Sequence, residues 1–293
     1  MTSARNFLYG KQVRRLLLST SWGKLLVVGG SRAGEGTVII LPQMRLALDV
    51  GFPLRALVPM ENVVVSHGHM DHQGALLPWA AQRQLQNLGP GKVFAPQPLA
   101  GALLELLKLG ALMEGGQPYP VVVCPVAPGE EVRLRADIRL RFFPTSHWTP
   151  TLGTLLLWQK QQLRPEFVHL PQRAIRKLRE EGVAVTQTRE IPLLAYLADT
   201  GAELLEKELW LRQVEVLIVE CTFLHAKDRE RARKFGHIHL EDLQGFLQGS
   251  QNHHVIITHL SRRHRLAAGS KIIRNALAHQ DGPKLHLLNV DWP

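Results

Sequence analysis

The chain of 293 residues has only two cysteines, Cys124 and Cys221. Two thiols exclude a disulfide framework and a cysteine-based zinc ribbon, and they fit a reducing compartment. No stretch reaches the roughly 18 consecutive apolar residues that span a bilayer, so no membrane partner is expected. Acidic residues are also few: 25 Asp and Glu stand against 35 Lys and Arg, for a formal net charge of +10. That excess favours polyanionic partners such as nucleic acid, with a plain solubility role as the alternative. No acid precedes Glu35, and the stretch before it carries several Arg and Ser residues, as transit peptides do. LLLST and KLLVVGG within that stretch read better as opening strands, so a cytoplasmic chain without a presequence is expected, with organellar targeting left open. There is no internal repeat and no low-complexity tract. The glycine-rich GGSRAGEG (29–36) lacks the Gly-Lys-Ser/Thr of a phosphate-binding loop and reads as a hairpin turn.

What the chain does have is apolar material, 45% of its residues, enough for a sizeable core. Short β-branched runs recur at 24–30, 37–42, 45–51, 62–69, 132–143, 153–159, 192–200, 214–223 and 253–261. Helical patterns over 72–86, 99–113, 171–182 and 239–248 lie between them, and Gly182 sits where a C-cap glycine belongs. Strands mixed with helices in both halves predict an α/β sandwich. Five polar clusters close apolar runs: HGHMDH, SH, ADT, ECTF and THLS. In α/β folds the crevice outside the carboxyl ends of strands is where ligands bind, so one edge should gather them.

The densest cluster is SHGHMDHQG, with three histidines and an aspartate within six residues directly after a strand. Neutral imidazoles and carboxylates suit zinc and similar divalent ions. His67 and His69, two apart on a glycine-containing loop, can both turn to one ion. Asp71 and His72, at a helix start, can face a second. A chance surface histidine cluster on a basic protein is the competing reading, and the strand–loop–helix context argues against it.

The H-x-H-x-D-H pattern resembles the metallo-β-lactamase superfamily, whose fold is a four-layer αββα sandwich holding one or two metals. Asp49 in LALDVG resembles that family's buried structural aspartate, and Gly153 follows six residues after His147 as the family pattern has it. The resemblance implies that one ion takes His67, His69, His147 and Asp199, and that a second takes Asp71, His72, His259 and the shared Asp199. It implies two divalent ions, zinc first and manganese second. Within the superfamily, ECTF, GHIHLEDL and THLSRRH are similar to the RNase Z group, endonucleases that trim the 3′ ends of precursor tRNAs. The similarity runs over most of the chain from about residue 27.

In such a site Asp71, a ligand beside the water, is the expected general base, and His237, positioned by Glu220, the expected general acid for the leaving oxygen. Ser261 and Arg263, after Thr258 and His259, are expected to hold phosphate oxygens. A pair of such ions also suits phosphodiester chemistry, since together they can activate a water and offset charge on the departing oxygen. The whole chain, 1–293, is expected to be one such hydrolase domain. A short basic insert at about 164–190 stands where the group carries a long arm that grips tRNA. Its helical segment offers Arg173, Arg176, Lys177 and Arg179 to phosphates. Two departures are visible: Ile238 stands where a hydroxyl residue is common, and His264 where tyrosine is usual. The remaining histidines, including His169, His225, His239, His253, His254, His279 and His286, read as ordinary structural or surface residues. The expected substrate is therefore RNA, precursor tRNA first, and the group's habit makes a homodimer the expected assembly. Rival readings are a small-substrate hydrolase acting on a cyclic nucleotide, thioester or lactone, and an RNA-binding protein with a spent metal site.

Overall fold

The computed structural model describes residues 13–277 and 282–292, and among them fourteen strands form two seven-stranded sheets. The two sheets follow one plan. In the first, β1 (Arg14–Thr20), β2 (Gly23–Arg32), β3 (Gly36–Leu41) and β4 (Leu46–Val50) run antiparallel in succession. Then β5 (Asn62–Val64), β6 (Gly91–Pro96) and β7 (Val121–Val126) continue parallel to β4. In the second, β8 (Glu131–Arg135), β9 (Ile138–Pro144), β10 (Leu152–Leu163) and β11 (Thr186–Tyr196) form the meander. Here β12 (Val216–Glu220), β13 (His254–Thr258) and β14 (Lys284–Leu287) are the parallel strands.

Parallel strands need crossovers, and the helices supply them. Between strands of the first sheet lie α1 (Met70–Gln73), α2 (Leu76–Leu85) and α3 (Gln97–Met113). The hairpin tip between β10 and β11 carries α4 (Gln172–Glu180). On the second sheet are α5 (Glu203–Lys207), α6 (Arg229–Phe235), α7 (Leu240–Leu247) and α8 (Leu266–Leu277). The alternation of side chains along each strand sorts the core into three layers. On β3, Ile39 and Leu41 pack between the sheets with Leu140, Phe142, Leu156 and Ile218. Val38 and Ile40 point the other way, against Trp79 of α2 and Leu103 and Leu107 of α3. On β12, Leu217 and Val219 meet Leu243 and Phe246 of α7 and Ile273 of α8. The result is the expected four-layer αββα sandwich.

Several elements differ from the sequence reading. The run 132–143 is two strands joined by a turn at Ala136 and Asp137. The helix over 72–86 breaks at Gly74 and Ala75 into α1 and α2, because Asp71 and His72 must face the sheet edge while Trp79 packs on the sheet face. Strands β6, β7 and β14 and helix α8 were not read at all; β6 and β7 each contain a proline that weakens the strand pattern. The opening strands LLLST and KLLVVGG are β1 and β2, while residues 1–12 and His279 lie outside the described residues. No helix among the described residues is long and apolar enough to cross a membrane.

Away from the polar edge, a histidine pair ties the two sheets together. His254 on β13 contacts His286 on β14 at 3.1 Å, and its Nε2–H donates to the Ser19 carbonyl of β1 at 3.1 Å. Burial lowers both pKa values, that of His286 to about 4 with His254 and Lys284 adding to the effect. Both rings are therefore neutral in the folded protein at pH 7, whereas unfolded histidines titrate near 6.5. Protons then bind the unfolded chain first, so this pair's contribution is intact above about pH 6.5 and is lost as pH falls towards 4. Thermal melts between about pH 7.5 and 5 should show a Tm that falls with acid in the wild type and falls less in His286→Gln.

Candidate metal centre

Both sheets change from meander to parallel strands, and the polar clusters collect at that change, beyond the carboxyl ends of β4, β5, β11, β12 and β13. Three non-glycine residues there take left-handed backbone, Asp49 (φ 57°), Ala198 (φ 54°) and His259 (φ 58°). Such conformations cost energy that the surroundings must hold, and they re-aim side chains at strand ends. Gly51 lets the chain pass directly beside α1: a Cβ there would lie 1.8 Å from the Asp71 carbonyl oxygen.

Asp49 is fully buried and organises the rest. Its Oδ1 accepts the Ser66 backbone N–H at 2.7 Å. Its Oδ2 accepts the Ser66 hydroxyl at 2.8 Å, the Tyr196 hydroxyl at 2.6 Å and His72 Nδ1–H at 2.7 Å. With its own hydrogen committed to Asp49, the Ser66 oxygen is left to accept from His67 Nδ1 at 3.0 Å. His147 Nδ1–H donates to the Gly236 carbonyl at 2.9 Å. Thr222 gives its hydroxyl hydrogen to Glu220 Oε2 and so accepts from His259 Nδ1 at 3.0 Å. Four imidazoles are thus anchored through Nδ1–H, each turning an Nε2 lone pair inward.

Among the described residues, those inward nitrogens meet chiefly one another and the carboxylates of Asp71 and Asp199. His147 Nε2 is buried without a hydrogen-bond partner. His67 Nε2 and His69 Nδ1 face each other at 2.9 Å, and His72 Nε2 and His259 Nε2 at 3.3 Å. Converging acceptors of this kind fit divalent cations with nitrogen and oxygen ligands. The donor atoms fall into groups whose members all lie within 4.8 Å of one another. One is His67, His69, His147 and Asp199, and another is Asp71, His72 and His259. Asp199, 2% exposed, stands between them. Its Oδ1 is 3.4 Å from His72 Nε2, and its Oδ2 is 3.3 Å from His259 Nε2 and 3.8 Å from His67 Nε2. The residues present therefore fit two cations that share one carboxylate.

The charge states follow from the same contacts. Burial depresses His67, helped by His72, and depresses His69 and His147, so all three are neutral at pH 7. Burial would also lower His72, but Asp199 and Asp49 outweigh it and hold that ring well above its ordinary value. A cation between those carboxylates takes the place of the proton they favour. Burial would raise Asp199 and Asp71; the histidines around them prevail and keep both below the usual carboxylate range. Next to this cluster, His237 Nδ1 is bound at 2.8 Å to Glu220 Oε1, which also accepts the Thr200 backbone N–H at 3.0 Å. Burial would lower His237, but the Glu220 charge and hydrogen bond raise it to about 9, leaving it protonated at neutral pH.

The structure thus brings His67, His69, Asp71, His72, His147, Asp199 and His259 together, with Glu220 and His237 adjoining. Ser261 is buried two residues beyond His259, and Arg263 is exposed after it. Arg173, Arg176 and Lys177 are not brought here. They lie on α4, at the far end of a hairpin whose strand β10 runs from Leu152 near the site to Leu163, roughly 35 Å of strand. Arg176 and Lys177 also pair with Glu180 and Glu181 on the same helix turn, at 3.1 and 3.7 Å. The sequence reading missed the supporting residues: Ser66, Tyr196, Thr200, Thr222, the Gly236 carbonyl, and the Gly34 N–H that Asp71 Oδ2 accepts at 2.6 Å. Ser66, Thr200, Thr222 and Gly236 stand inside the quoted motifs SHGHMDHQG, ADT, ECTF and GHIHLEDL, but nothing there gives them a supporting role, and Tyr196 shows only as one aromatic in an aliphatic strand near Asp199. The glycine-rich hairpin turn does lie beside the cluster, through Gly34.

With this geometry in view, the β-lactamase superfamily domain family matches residues 14–260. A chloroplastic tRNase Z of Arabidopsis thaliana is 31% identical over 244 residues, covering 82% of this chain and 68% of that protein. A second Arabidopsis thaliana tRNase Z is 27% identical over 242 residues, covering 81% and 86%. Among solved structures, the metallo-β-lactamase fold protein YhfI of Bacillus subtilis superposes with a TM-score of 0.60 at 12% identity. That match covers 96% of this chain and 98% of the Bacillus chain.

Because Asp49 fixes His72 and, through Ser66, His67, its charge should govern cation affinity without touching a cation. In zinc titrations monitored with a competing chelator, Asp49→Asn should bind zinc about 10- to 100-fold more weakly than wild type.

Proposed function

The chain belongs to the β-lactamase superfamily and to its tRNase Z relatives, which makes it a metal-dependent hydrolase, and on that premise we propose that it cleaves 3′ extensions from precursor tRNA. One observation carries the reading: His237, gripped by Glu220 at 2.8 Å, stands beside a cation-fitting cluster on a chain of net charge +10. The cluster would hold divalent cations, zinc by its donor set with manganese second, and these would supply Lewis acidity for activating water and offsetting charge at a phosphodiester.

The chain's own residues do the rest. Asp71, kept ionised by His259 and His72, accepts a proton from the attacking water. His237 holds a proton on Nε2 for the departing oxygen, since Nδ1 is taken by Glu220. Ser261 and Arg263, following His259, bind phosphate oxygens, the guanidinium through charge-assisted hydrogen bonds. Arg173, Arg176 and Lys177 contact the RNA backbone away from the cleavage point.

Incubating the metal-loaded protein with a 3′-extended precursor tRNA should release the trailer. Absence of cleavage, together with turnover of a thioester, would overturn the proposal. His237→Ala should lower kcat by about 10²- to 10⁴-fold, with zinc content unchanged. The short insert favours a second reading, a hydrolase of small substrates. Salt separates the two: between about 50 and 200 mM, kcat/KM for RNA should fall steeply, whereas a small substrate would feel little change.

A further inference from the structure

Of the six tryptophans, Trp148 alone is exposed, at 67%. The others have protein against their rings: Trp79 is buried near Arg83, Trp210 meets Phe143 edge-on, and Trp292 stacks on Phe52. Trp22 and Trp158 lie under Arg135 and Lys160. Trp148 follows His147 directly, and its ring leans on His69 at 4.9 Å and on His147 at 6.0 Å, tilted to both. A large apolar ring is therefore held open to solvent at the rim of the metal centre.

The loop that carries it is fixed. Ser146 donates its N–H to the Thr200 hydroxyl at 3.0 Å, and its carbonyl accepts the Gly201 N–H at 2.6 Å. His147 is tied to Gly236, and Leu152 N–H donates to the Ser66 carbonyl at 3.1 Å. Thr151 hydroxyl donates to the Thr149 carbonyl at 2.9 Å within the turn. An exposed aromatic on a rigid loop loses little conformational freedom when a flat partner covers it. Trp148 also stands at the His69–His147 end of the cluster, while Ser261 and Arg263 follow His259 in the other group.

Resting on the reading of this site as an RNA phosphodiesterase, we propose that the Trp148 indole is a stacking platform for the unpaired nucleobase next to the scissile phosphate. Single-stranded RNA is gripped in this way because every base offers a π-face, and each such contact changes affinity by roughly tenfold to a hundredfold. The platform discriminates an unpaired nucleotide from a helical one, and it is indifferent to which base it receives.

The test uses zinc-loaded full-length protein and a single-stranded oligoribonucleotide carrying 2-aminopurine at successive positions around the cleavage point. Wild type should quench the probe strongly at one position. Trp148→Phe should keep most of the quench, and Trp148→Leu should lose it with about a 10- to 100-fold weaker Kd. Zinc content should stay within about twofold in both variants, because cation loading does not depend on a base. Quenching that is equal in wild type and Trp148→Leu would overturn the platform. So would loss of zinc from Trp148→Leu, which would make Trp148 a cover for His69. A wild type that quenches without cleaving precursor tRNA sinks the processing reading and leaves the platform standing. One that cleaves without Trp148-dependent quenching does the reverse.

Discussion

The buried carboxylate of Asp49 is the contact on which the functional edge of this protein depends. It joins parts that would otherwise be independent: β4, the loop after β5, α1, and through Tyr196 the second sheet. An ionised carboxylate in a core is costly unless hydrogen bonds replace its water, and here four donors do so. The left-handed backbone at Asp49 is part of the same arrangement, since it turns the side chain out of the strand's alternation and towards the site. Removing the charge while keeping the shape would leave donors from two sheets without their common acceptor.

From that anchor the orientation of the cluster follows. A histidine offers a metal one nitrogen only when the other is held, and four rings here are held through Nδ1 by partners outside the cluster. The partners belong to both halves of the chain: Asp49 and Ser66 come from the first, Thr222 and Gly236 from the second. The site therefore exists only where the two sheets meet, although each sheet closes its own core against its own helices. Glu220 extends the network one step further. One oxygen takes the hydroxyl of Thr222, which touches His259, and the other takes His237. The proton-bearing histidine is thus fixed relative to the cluster by a single side chain.

The sequence was most legible where chemistry is local. His67, His69, Asp71 and His72 lie within six residues, and strand–loop–helix context is enough to read them. His147, Asp199 and His259 each close an apolar run, but only the ordered family pattern marked them as ligands rather than ordinary histidines or a turn aspartate. Tyr196 and Asp49 are 147 residues apart, and Gly34 and Asp71 are 37 apart. No periodicity carries such pairings. Backbone donors and acceptors such as the Gly34 N–H and the Gly236 carbonyl are invisible in any sequence, because every residue has them. The fold class was readable from alternating strands and helices, but β6 and β7 were hidden by their prolines and the single helix over 72–86 by the demands of the site.

The position of α4 bears on what kind of substrate this surface suits. The β10–β11 hairpin leaves the site end of the sheet and reaches its tip roughly 35 Å of strand away. A lactone, a thioester or a cyclic nucleotide held at the cluster cannot extend to that tip. Its turnover cannot therefore depend on Arg173, Arg176 or Lys177, two of which are already offset by glutamates one helical turn on. Only a long polyanion can touch both places at once. Any dependence of cleavage on that helix must come from backbone phosphates far from the bond being broken. On the proposed reading the two places would divide the work of recognition, the basic tip meeting charge at a distance and the exposed Trp148 beside His69 meeting the nucleotide at the cut.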